Sequence, residues 1–359
     1  MRILHLIYDH IRNPWVGGGG AVRVWELYRR LSDRHEITVV CGRYPGASDC
    51  REGNVSFKFV GSARDNYLLS TFSYAVRAAG YLKAHNDRYD IVVEDFAPYN
   101  PVFSFLRHKS AIIQLHQREG MRHLKKYAVF GIPFFLIEKF YPRFFHYAVV
   151  ISEVTLHKYG LRGRVVVIPN GFDPLLMDEE PEEKGYMLFL GRLHINQKGL
   201  DTLRDAMHMV RGKIVIAGGG KDAEKVRDLF RDDVRADRAE LTGFVSGKAK
   251  TELLRKCLFM VMSSRYEGQP LTLIEAASCG KAVVVSDIPE LRYAVDAGFG
   301  LSFKTGDARD LARKIHLLLE DSSMRKEMGR RARAYAADFT WDRIAGQYEK
   351  LLTDIAGKT

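Results

Sequence analysis

Short runs of apolar, often β-branched residues alternate along the chain with longer segments whose apolar residues recur at helical spacing. This alternation is typical of βαβ units around a parallel sheet, because strands buried on both faces read as continuous apolar runs. In the first half, the pattern predicts strands at residues 2–8, 36–41, 91–94, 111–115, 148–151 and 165–168. In the second half, it predicts strands at residues 186–190, 213–217, 240–242, 258–262 and 282–286. We therefore expect an α/β fold.

An acidic segment that contains Pro181, residues 178–183, separates the two series of strands. Its composition indicates a solvated linker rather than part of a core. The length of 359 residues is sufficient for two domains that each bury their own core. We expect two doubly wound domains, residues 1–170 and 171–340. A last helix, predicted around residues 341–355, could pack on either domain, and we expect it to return to the first.

The composition excludes several classes of protein. Hydrophobic residues make up 46% of the chain, which is too many for a disordered protein. The four cysteines include no Cys-x-x-Cys pair, so we expect a reducing cytosol and neither a disulfide framework nor a zinc site. The apolar run at residues 3–7 is too short for a signal sequence, and the stretch at 128–137 is about half of the ~20 residues that cross a bilayer. We expect a cytoplasmic protein, at most peripheral on the inner face of the membrane.

The positive charge is concentrated in one half of the chain. Residues 1–170 carry a net charge of +10 out of the formal +11, so the remainder carries +1. This asymmetry favours an anionic partner for the first half, either a nucleic acid or a membrane surface with acidic lipids. A basic surface that only keeps the protein soluble is the alternative.

Three stretches combine residues that can bind a phosphorylated ligand. The first is the glycine run at residues 17–20, between the first strand and a helix predicted at 21–32. Glycines let a ligand approach the backbone, and the N–H groups at a helix start favour a phosphate. The run is not a dinucleotide fingerprint, because Arg23 stands where the last glycine of that motif would be. A loop without function is the alternative.

The second stretch follows the strand at 186–190 and contains Arg192 and Lys198, just before a predicted helix. Open α/β sheets bind ligands at the carboxyl ends of their strands. There Arg192 could hold two phosphate oxygens while Lys198 adds a point charge. Isolated cations on a loop are usually solvated, so these two are a weak signal alone.

The third stretch, residues 264–276, is the most informative. Glu267 stands in a loop that contains glycine and proline, and Glu275 lies inside a helix predicted to begin near Leu271. The N–H groups of Leu271 and Thr272 at this helix start could meet an anion. A glutamate in an apolar helix is costly unless it has a partner, which favours a ligand hydroxyl for Glu275. Two ordinary surface glutamates are the alternative.

The order of these motifs resembles the retaining glycosyltransferases of family 4, which have the GT-B fold and transfer sugars from nucleotide diphosphate donors. The matching motifs are the glycine run, Gly191-Arg192, the stretches 198–201, 243–246 and 264–276, and the stretches 151–153, 168–173 and 339–341. They extend over almost the whole chain. The resemblance implies two Rossmann-like domains facing across a cleft and a hexosyltransferase activity.

The resemblance also implies roles for individual residues. His116 would face the donor sugar, and Glu267 would hydrogen-bond its hydroxyls, so both would be catalytic. The implied donor-binding residues are Gly19, Gly20, Arg192, Lys198, Phe244, Val245, Gly268, Leu271, Thr272 and Glu275. Within this set, the two cations would hold the diphosphate, the Phe-Val pair would line the base pocket, and the glutamate would bind the ribose.

Two positions depart from the family pattern. The acidic residue that usually follows the family's histidine is Gln117 here, so this motif does not support an Asp-assisted role for His116. The Gly-Asp-Gly stretch that is usual in the second sheet is three glycines here, residues 218–220.

The sequence also bears on the mechanism. It contains no Asp-x-Asp triplet of the kind that holds Mg²⁺ in the GT-A class. Fixed cations and helix-start N–H groups would then stabilise the leaving nucleoside diphosphate, so we expect no metal and no other cofactor. The resemblance favours retention by a front-face route, in which the leaving phosphate accepts the acceptor's proton, over double displacement with Glu267 as nucleophile.

Residues 118–147 interleave cations with aromatic rings. The cations include Arg122, Lys125, Lys126, Lys139 and Arg143, and the rings include Tyr127, Phe130, Phe134, Phe135, Phe140, Tyr141, Phe144 and Phe145. Such a segment can lie at a membrane interface, where rings insert and cations meet acidic lipids. Alternatively, the rings belong to the core and the cations to its solvated edge. We expect an acceptor that is lipid-linked or a precursor of a cell-surface glycan.

Two other functions stay open at this point. The basic charge permits nucleic-acid binding, but no zinc finger, RRM or helix-turn-helix pattern accompanies it, so we expect no nucleic-acid partner. The GT-B fold also serves nucleotide-sugar epimerases and glycan phosphorylases. An epimerase would act without an acceptor, and a phosphorylase would need a lysine that carries pyridoxal phosphate.

Overall fold

The computed structural model describes residues 1–14, 18–63, 66–178 and 180–357 of the chain. The chain divides into two compact units. The first contains Met1–Asn170 and Trp341–Thr359, and the second contains Gly171–Thr340. The C-terminal helix therefore belongs to the first unit.

The first unit is built on one sheet. Its strands are β1 (Arg2–Ile7), β2 (Glu36–Gly42), β3 (Cys50–Glu52), β4 (Val55–Val60), β5 (Ile91–Asp95), β6 (Ala111–Leu115), β7 (Tyr147–Val150) and β8 (Arg164–Val167). They lie in the order β3-β4-β2-β1-β5-β6-β7-β8. All neighbouring strands run parallel except β3 and β4. The carboxyl ends of the parallel strands therefore share one edge of the sheet.

The second unit has a parallel sheet of its own. Its strands are β9 (Tyr186–Leu190), β10 (Lys213–Ala217), β11 (Ala239–Gly243), β12 (Met260–Met262), β13 (Val283–Ser286) and β14 (Gly300–Phe303). The strand order is β11-β10-β9-β12-β13-β14. The order reverses between β9 and β12, so a crevice opens there beyond the carboxyl ends of the strands.

Helices cover both sheets. In the first unit they are α1 (Gly19–Leu31), α2 (Tyr67–His85), α3 (Arg122–Tyr127), α4 (Ile132–Phe140) and α5 (Glu153–Lys158). In the second unit they are α6 (Ile195–Lys198), α7 (Leu200–Met207), α8 (Ala223–Leu229), α9 (Arg231–Arg235), α10 (Gly247–Lys256), α11 (Leu271–Ser278), α12 (Arg292–Asp296), α13 (Ala308–Glu320) and α14 (Ser322–Ala336). The C-terminal helix α15 (Trp341–Ala356) packs against α1. No helix among the described residues is both long and apolar enough to span a membrane.

The apolar pattern determines which faces are buried. In β1, Ile3, Leu4 and Leu6 are completely buried, because helices cover both faces of the sheet. In α1, Val24, Leu27 and Leu31 recur at helical spacing and are buried. The second sheet separates two apolar clusters, one on each face. The expected α/β class with two parallel sheets is confirmed.

The sequence pattern missed three strands. The strands β3 and β4 form a hairpin pair at the sheet edge, and β14 lies at an edge of the second sheet. The strands β3 and β14 are edge strands, which carry a weaker signal because only part of each strand is covered, whereas β4 lies between β3 and β2. The pattern of β4 alternates between buried and half-buried residues, and this alternation could have revealed it.

The acidic segment at 178–183 lies within the second unit. Its described residues are exposed, yet the Glu182 N–H donates to the Arg255 carbonyl at 3.0 Å. Glu183 pairs with the guanidinium of Arg325 at 2.9 Å. Glu179 is outside the described residues. The described residues of this segment are therefore exposed, as expected, but they belong to the second unit rather than forming a separate linker.

Candidate active site

A buried ion pair lies at the carboxyl edge of the second sheet. Glu267 stands in the loop between β12 and α11 and is 6% exposed. Its Oε1 accepts hydrogen bonds from Lys198 Nζ at 2.6 Å and from Ser264 Oγ at 2.5 Å. The structure thus joins two predicted site residues that are 69 positions apart in sequence.

Hydrogen bonds to backbone carbonyls hold together the two segments that carry Lys198 and Glu267. Ser263 Oγ donates to the Lys198 carbonyl at 2.8 Å, and the Arg265 N–H donates to the Gln197 carbonyl at 2.8 Å. Gly199, between α6 and α7, has a φ of +61°, and a Cβ there would lie 2.0 Å from the Ser263 carbonyl oxygen. A side chain at this position would therefore separate the loops.

The loop after β9 brings Arg192 to the same edge. The exposed side chain of Arg192 packs near Gly220, where an added Cβ would lie 3.1 Å from Arg192 Cγ. An added Cβ on Gly191 would lie 3.8 Å from Lys198 Nζ. Both predicted diphosphate-binding cations therefore border the loop after β9, as the sequence analysis anticipated.

Glu275 lies one turn into α11 and is 8% exposed. Its Oε1 accepts a hydrogen bond from Lys250 Nζ of α10 at 2.6 Å. The sequence analysis expected a ligand hydroxyl as the partner of this carboxylate and did not name Lys250. The two residues are 25 positions apart and lie on different helices, so no local pattern in the sequence pairs them.

The remaining predicted donor residues flank these pairs. Leu271 and Thr272 are the first two residues of α11, which has no side-chain N-cap, and Gly268 lies in the preceding loop. The N–H groups of Leu271 and Thr272 therefore have no carbonyl partner within the helix. Phe244, directly after β11, is 79% exposed, while Val245 packs on the apolar cluster below. An exposed phenylalanine at a strand end can act as a stacking surface.

In the first unit, Gly19 and Gly20 begin α1, and Gly17 of the glycine run lies outside the described residues. The N–H of Gly18 donates to Asp9 Oδ2 at 2.8 Å. An added Cβ on Gly20 would lie 3.6 Å from His116 Nε2. The start of α1 and the predicted catalytic histidine are thus neighbours.

His116 has an acidic partner that the sequence analysis missed. Its Nε2 lies 2.8 Å from Oδ1 and 3.0 Å from Oδ2 of Asp95, the last residue of β5. Asp95 therefore provides a carboxylate beside His116, although Gln117 stands at the motif position that usually holds an acidic residue. Asp95 directly follows the strand predicted at residues 91–94, and the carboxyl ends of parallel strands share one edge of the sheet, which was the available signal.

The surroundings of Asp95 and His5 determine which of the two is charged. Burial raises the pKa of Asp95, but the charge of His116 and hydrogen bonds from His116 and His5 outweigh it and hold the pKa well below its usual range. Burial lowers the pKa of His5, which is completely inaccessible. Asp95 is therefore a carboxylate at neutral pH, and His5 is neutral.

Two doubly wound α/β units, each with a parallel sheet, are typical of proteins that bind their ligands in the crevice beyond the carboxyl ends of the strands. Two family models match this chain. The model of glycosyltransferase family 4 matches residues 17–175, and the model of glycosyl transferases group 1 matches residues 178–335.

Relatives and solved structures agree with these models. An uncharacterised glycosyltransferase of Methanocaldococcus jannaschii is 27% identical, over 99% of this chain and 100% of the relative. The N,N'-diacetylbacillosaminyl-diphospho-undecaprenol α-1,3-N-acetylgalactosaminyltransferase of Campylobacter jejuni is 42% identical over 28% of this chain and 27% of the relative. A sucrose-phosphate synthase structure from Thermosynechococcus elongatus has a TM-score of 0.83 at 19% identity, covering 100% of both chains. The chain belongs to the group 1 glycosyltransferases and has the GT-B fold.

We expect Gly218→Ala to destabilise the second unit, because Gly218 has a φ of +151° and an added Cβ would lie 1.8 Å from the Gly191 carbonyl oxygen. The cost should be about 2 kcal/mol or more, since backbone cannot move away as a side chain can. Gly219→Ala is the matched control, because its Cβ would lie 3.5 Å from Phe244 Cβ, an ordinary contact. Thermal denaturation followed by circular dichroism compares the two, and equal melting temperatures would contradict the expectation.

Proposed function

We propose that this glycosyltransferase moves a sugar from a nucleoside diphosphate sugar to a hydroxyl acceptor, with retention of configuration and without a metal ion. The observation that carries the proposal is the buried Lys198–Glu267 pair at the edge of the second sheet. Burying a carboxylate and an ammonium is costly, and replacing such a pair with apolar residues is often neutral or stabilising. A binding role explains why these charges are placed there.

The surroundings of this pair fit a diphosphate. Arg192 can present its planar guanidinium to two phosphate oxygens, while the Lys198 ammonium acts as a point charge. The N–H groups of Leu271 and Thr272 at the start of α11 favour an anion in the same way. On this proposal, Glu275 and Lys250 meet the ribose side of the donor, and Phe244 meets the base.

Glu267 is the carboxylate best placed to accept hydrogen bonds from the hydroxyls of the transferred sugar. In the front-face route, the bond between the anomeric carbon and the diphosphate oxygen breaks as a bond to the acceptor oxygen forms. The acceptor proton passes to the leaving phosphate, so the products are a glycoside and a nucleoside diphosphate. The cations and helix N–H groups stabilise the charge that develops on that leaving group.

We expect Glu267→Ala and Lys198→Ala to lose about 100-fold or more in kcat, because each removes a group that acts on the sugar or the diphosphate. The donor is found first by thermal shift with UDP, GDP, ADP and their sugars, since a ligand at 100 times its Kd adds about 2.7 kcal/mol of stability. Turnover with that donor is then measured with and without acceptor, because an epimerase would need no acceptor.

Each single variant leaves a buried charge without its partner, so loss of folding must be separated from loss of chemistry. The double variant Lys198→Met with Glu267→Gln removes both charges and should fold yet stay inactive. Glu240→Gln, at an exposed glutamate of the second unit, is the matched control and should keep full activity. Near-normal turnover of folded Glu267→Ala would refute the assignment.

We expect turnover to persist in excess EDTA, because Arg192, Lys198 and the α11 N-terminus supply the positive charge that the leaving diphosphate needs. The measurement compares initial rates before and after chelation. A complete loss that added Mg²⁺ or Mn²⁺ restores would contradict metal independence.

The acceptor side of the proposal rests on the exposed surface of residues 118–147, named here the aromatic–basic segment. Tyr141 and Phe145 are buried, so the alternative of core aromatics holds for these two. The large apolar residues that are exposed in this segment are Met121, Val129, Phe130, Ile132, Leu136, Phe140 and Phe144. Monomeric proteins rarely expose so many neighbouring apolar residues unless they bind a partner or a membrane.

The first half of α2 extends the same surface. Leu68, Phe72 and Val76 recur every four residues on one helix face and are 41%, 65% and 56% exposed. Tyr99 lies between this helix and the segment, with its ring 6.2 Å from that of Tyr67 and 4.8 Å from that of Phe134. This unit also carries the basic excess of the chain, and the Campylobacter jejuni relative is named for an acceptor linked to diphospho-undecaprenol. A lipid-linked acceptor on an anionic membrane accounts for both the exposed apolar surface and the basic excess of this unit.

We expect the protein to bind vesicles that contain anionic phospholipid, and high salt should release it, because cations meet the headgroups while rings insert. Phe130→Ser combined with Phe144→Ser should weaken binding severalfold in a sedimentation assay. Leu175→Ser, at a 69% exposed residue of the second unit, is the control and should bind like the unmodified protein. Absence of binding at low salt, or equal binding to zwitterionic vesicles, would count against this surface.

A further inference from the structure

Asp95 lies at the centre of a buried polar network in the first unit. Its side chain is 7% exposed and is surrounded by His5 of β1, Gln114 of β6 and His116, which follows β6. We propose that Asp95 is a positioning residue for His116: it keeps the Nε2 proton of the ring in place and leaves Nδ1 to meet the donor sugar. This inference rests on the proposed function only for the identity of that ligand.

The contacts of the carboxylate determine where the protons lie. An ionised carboxylate only accepts hydrogen bonds, so each neighbour in contact with it must donate. His116 Nε2 lies 2.8 Å from Oδ1, and Gln114 Nε2 lies 2.7 Å from Oδ2. His5 Nε2 approaches Oδ2 more loosely, at 3.4 Å. The proton of His116 is therefore on Nε2 whenever the ring is neutral.

Groups behind the carboxylate support the same arrangement. His5 Nδ1 lies 2.8 Å from the Tyr28 hydroxyl, and burial raises the pKa of Tyr28 well above its usual value. Because neutral His5 donates from Nε2 to the Asp95 carboxylate, its Nδ1 is the acceptor and the Tyr28 hydroxyl donates to it. Arg23 Nε donates to Gln114 Oε1 at 3.4 Å, so the amide of Gln114 turns its NH₂ group toward Asp95.

The buried cation Arg23 favours the ionised form of Asp95. Arg23 is completely buried, and its guanidinium donates to the carbonyl oxygens of Ile168 at 2.9 Å and Pro169 at 2.6 Å. The face of Tyr348 from α15 lies 5.9 Å from the Arg23 guanidinium carbon. Burial lowers the pKa of Arg23 to about 10, so it is still a cation at neutral pH. Arg23 balances the charge of Asp95 without contacting it.

His116 is the one histidine of this network that reaches the surface. Its side chain is 24% exposed, whereas that of His5 is 0% exposed. Gly20, with no Cβ, borders the His116 ring at the start of α1. A carboxylate that fixes the tautomer of a histidine and orients its ring is a recurrent device in enzymes, where it leaves the other nitrogen for the substrate.

The tautomer can be read directly by nitrogen-15 NMR of histidine-labelled protein, with His116→Gln used to assign the signals. We expect the Nε2–H tautomer for His116 in the unmodified protein at a pH where the ring is neutral. The Nδ1–H tautomer would overturn the proposal. This measurement needs no turnover, so it tests the role of Asp95 even if the protein converts no nucleotide sugar. Absence of conversion would count against the proposed function and not against the role of Asp95.

Asp95→Asn tests the consequence for the reaction. Its amide can turn an NH₂ group toward His116 Nε2, which would shift the proton to Nδ1. We expect kcat to fall at least tenfold while the donor KM changes less than threefold, together with a change in the His116 tautomer signal. Asp90→Asn, at an exposed aspartate paired with Arg2, is the control and should change neither. A folded Asp95→Asn protein with an unchanged tautomer and unchanged kcat would refute the proposal.

Discussion

The carboxyl edge of the second sheet depends on the buried ion pair between Lys198 and Glu267. Each ion loses several kcal/mol of hydration on burial, and only close geometry and further hydrogen bonds offset that loss. Ser264 provides one such bond to the same carboxylate oxygen, and Arg265 pairs with Asp201 to hold the loops at a fixed distance. The pair joins the segments that follow β9 and β12. It therefore holds together the ends of the two neighbouring strands between which the strand order reverses.

The first unit uses a carboxylate in a related way. Asp95 collects donors from β1 and β6 below the surface, and His116 is the member that reaches solvent. In both units a buried carboxylate orients a cationic or titratable group beyond a strand end. Buried polar groups are tolerated when every member is satisfied, and satisfied networks are rigid. Rigid placement is what a group that acts on a sugar or a diphosphate needs.

The two units also differ in charge. The cations that we propose for the donor lie in the second unit, which has little net charge, whereas the excess of +10 lies in residues 1–170. Donor binding therefore does not account for the basic excess. The exposed rings and cations of the aromatic–basic segment and the apolar face of α2 lie in the basic unit. This division agrees with a nucleotide donor on one unit and an anionic, lipid-associated acceptor on the other.

The sequence by itself determined the α/β class, the two sheets and the order of motifs, because periodicity depends on the chain alone. It also named Lys198 and Glu267 as candidates, because each stands in a short motif after a predicted strand, whereas His116 was a candidate only through the resemblance to the family. It did not find Asp95 or Lys250, which are the partners of His116 and Glu275. Only the tertiary structure decided those pairings. Parallel strand ends bring together residues far apart in sequence, and no local pattern records which neighbour each strand will have.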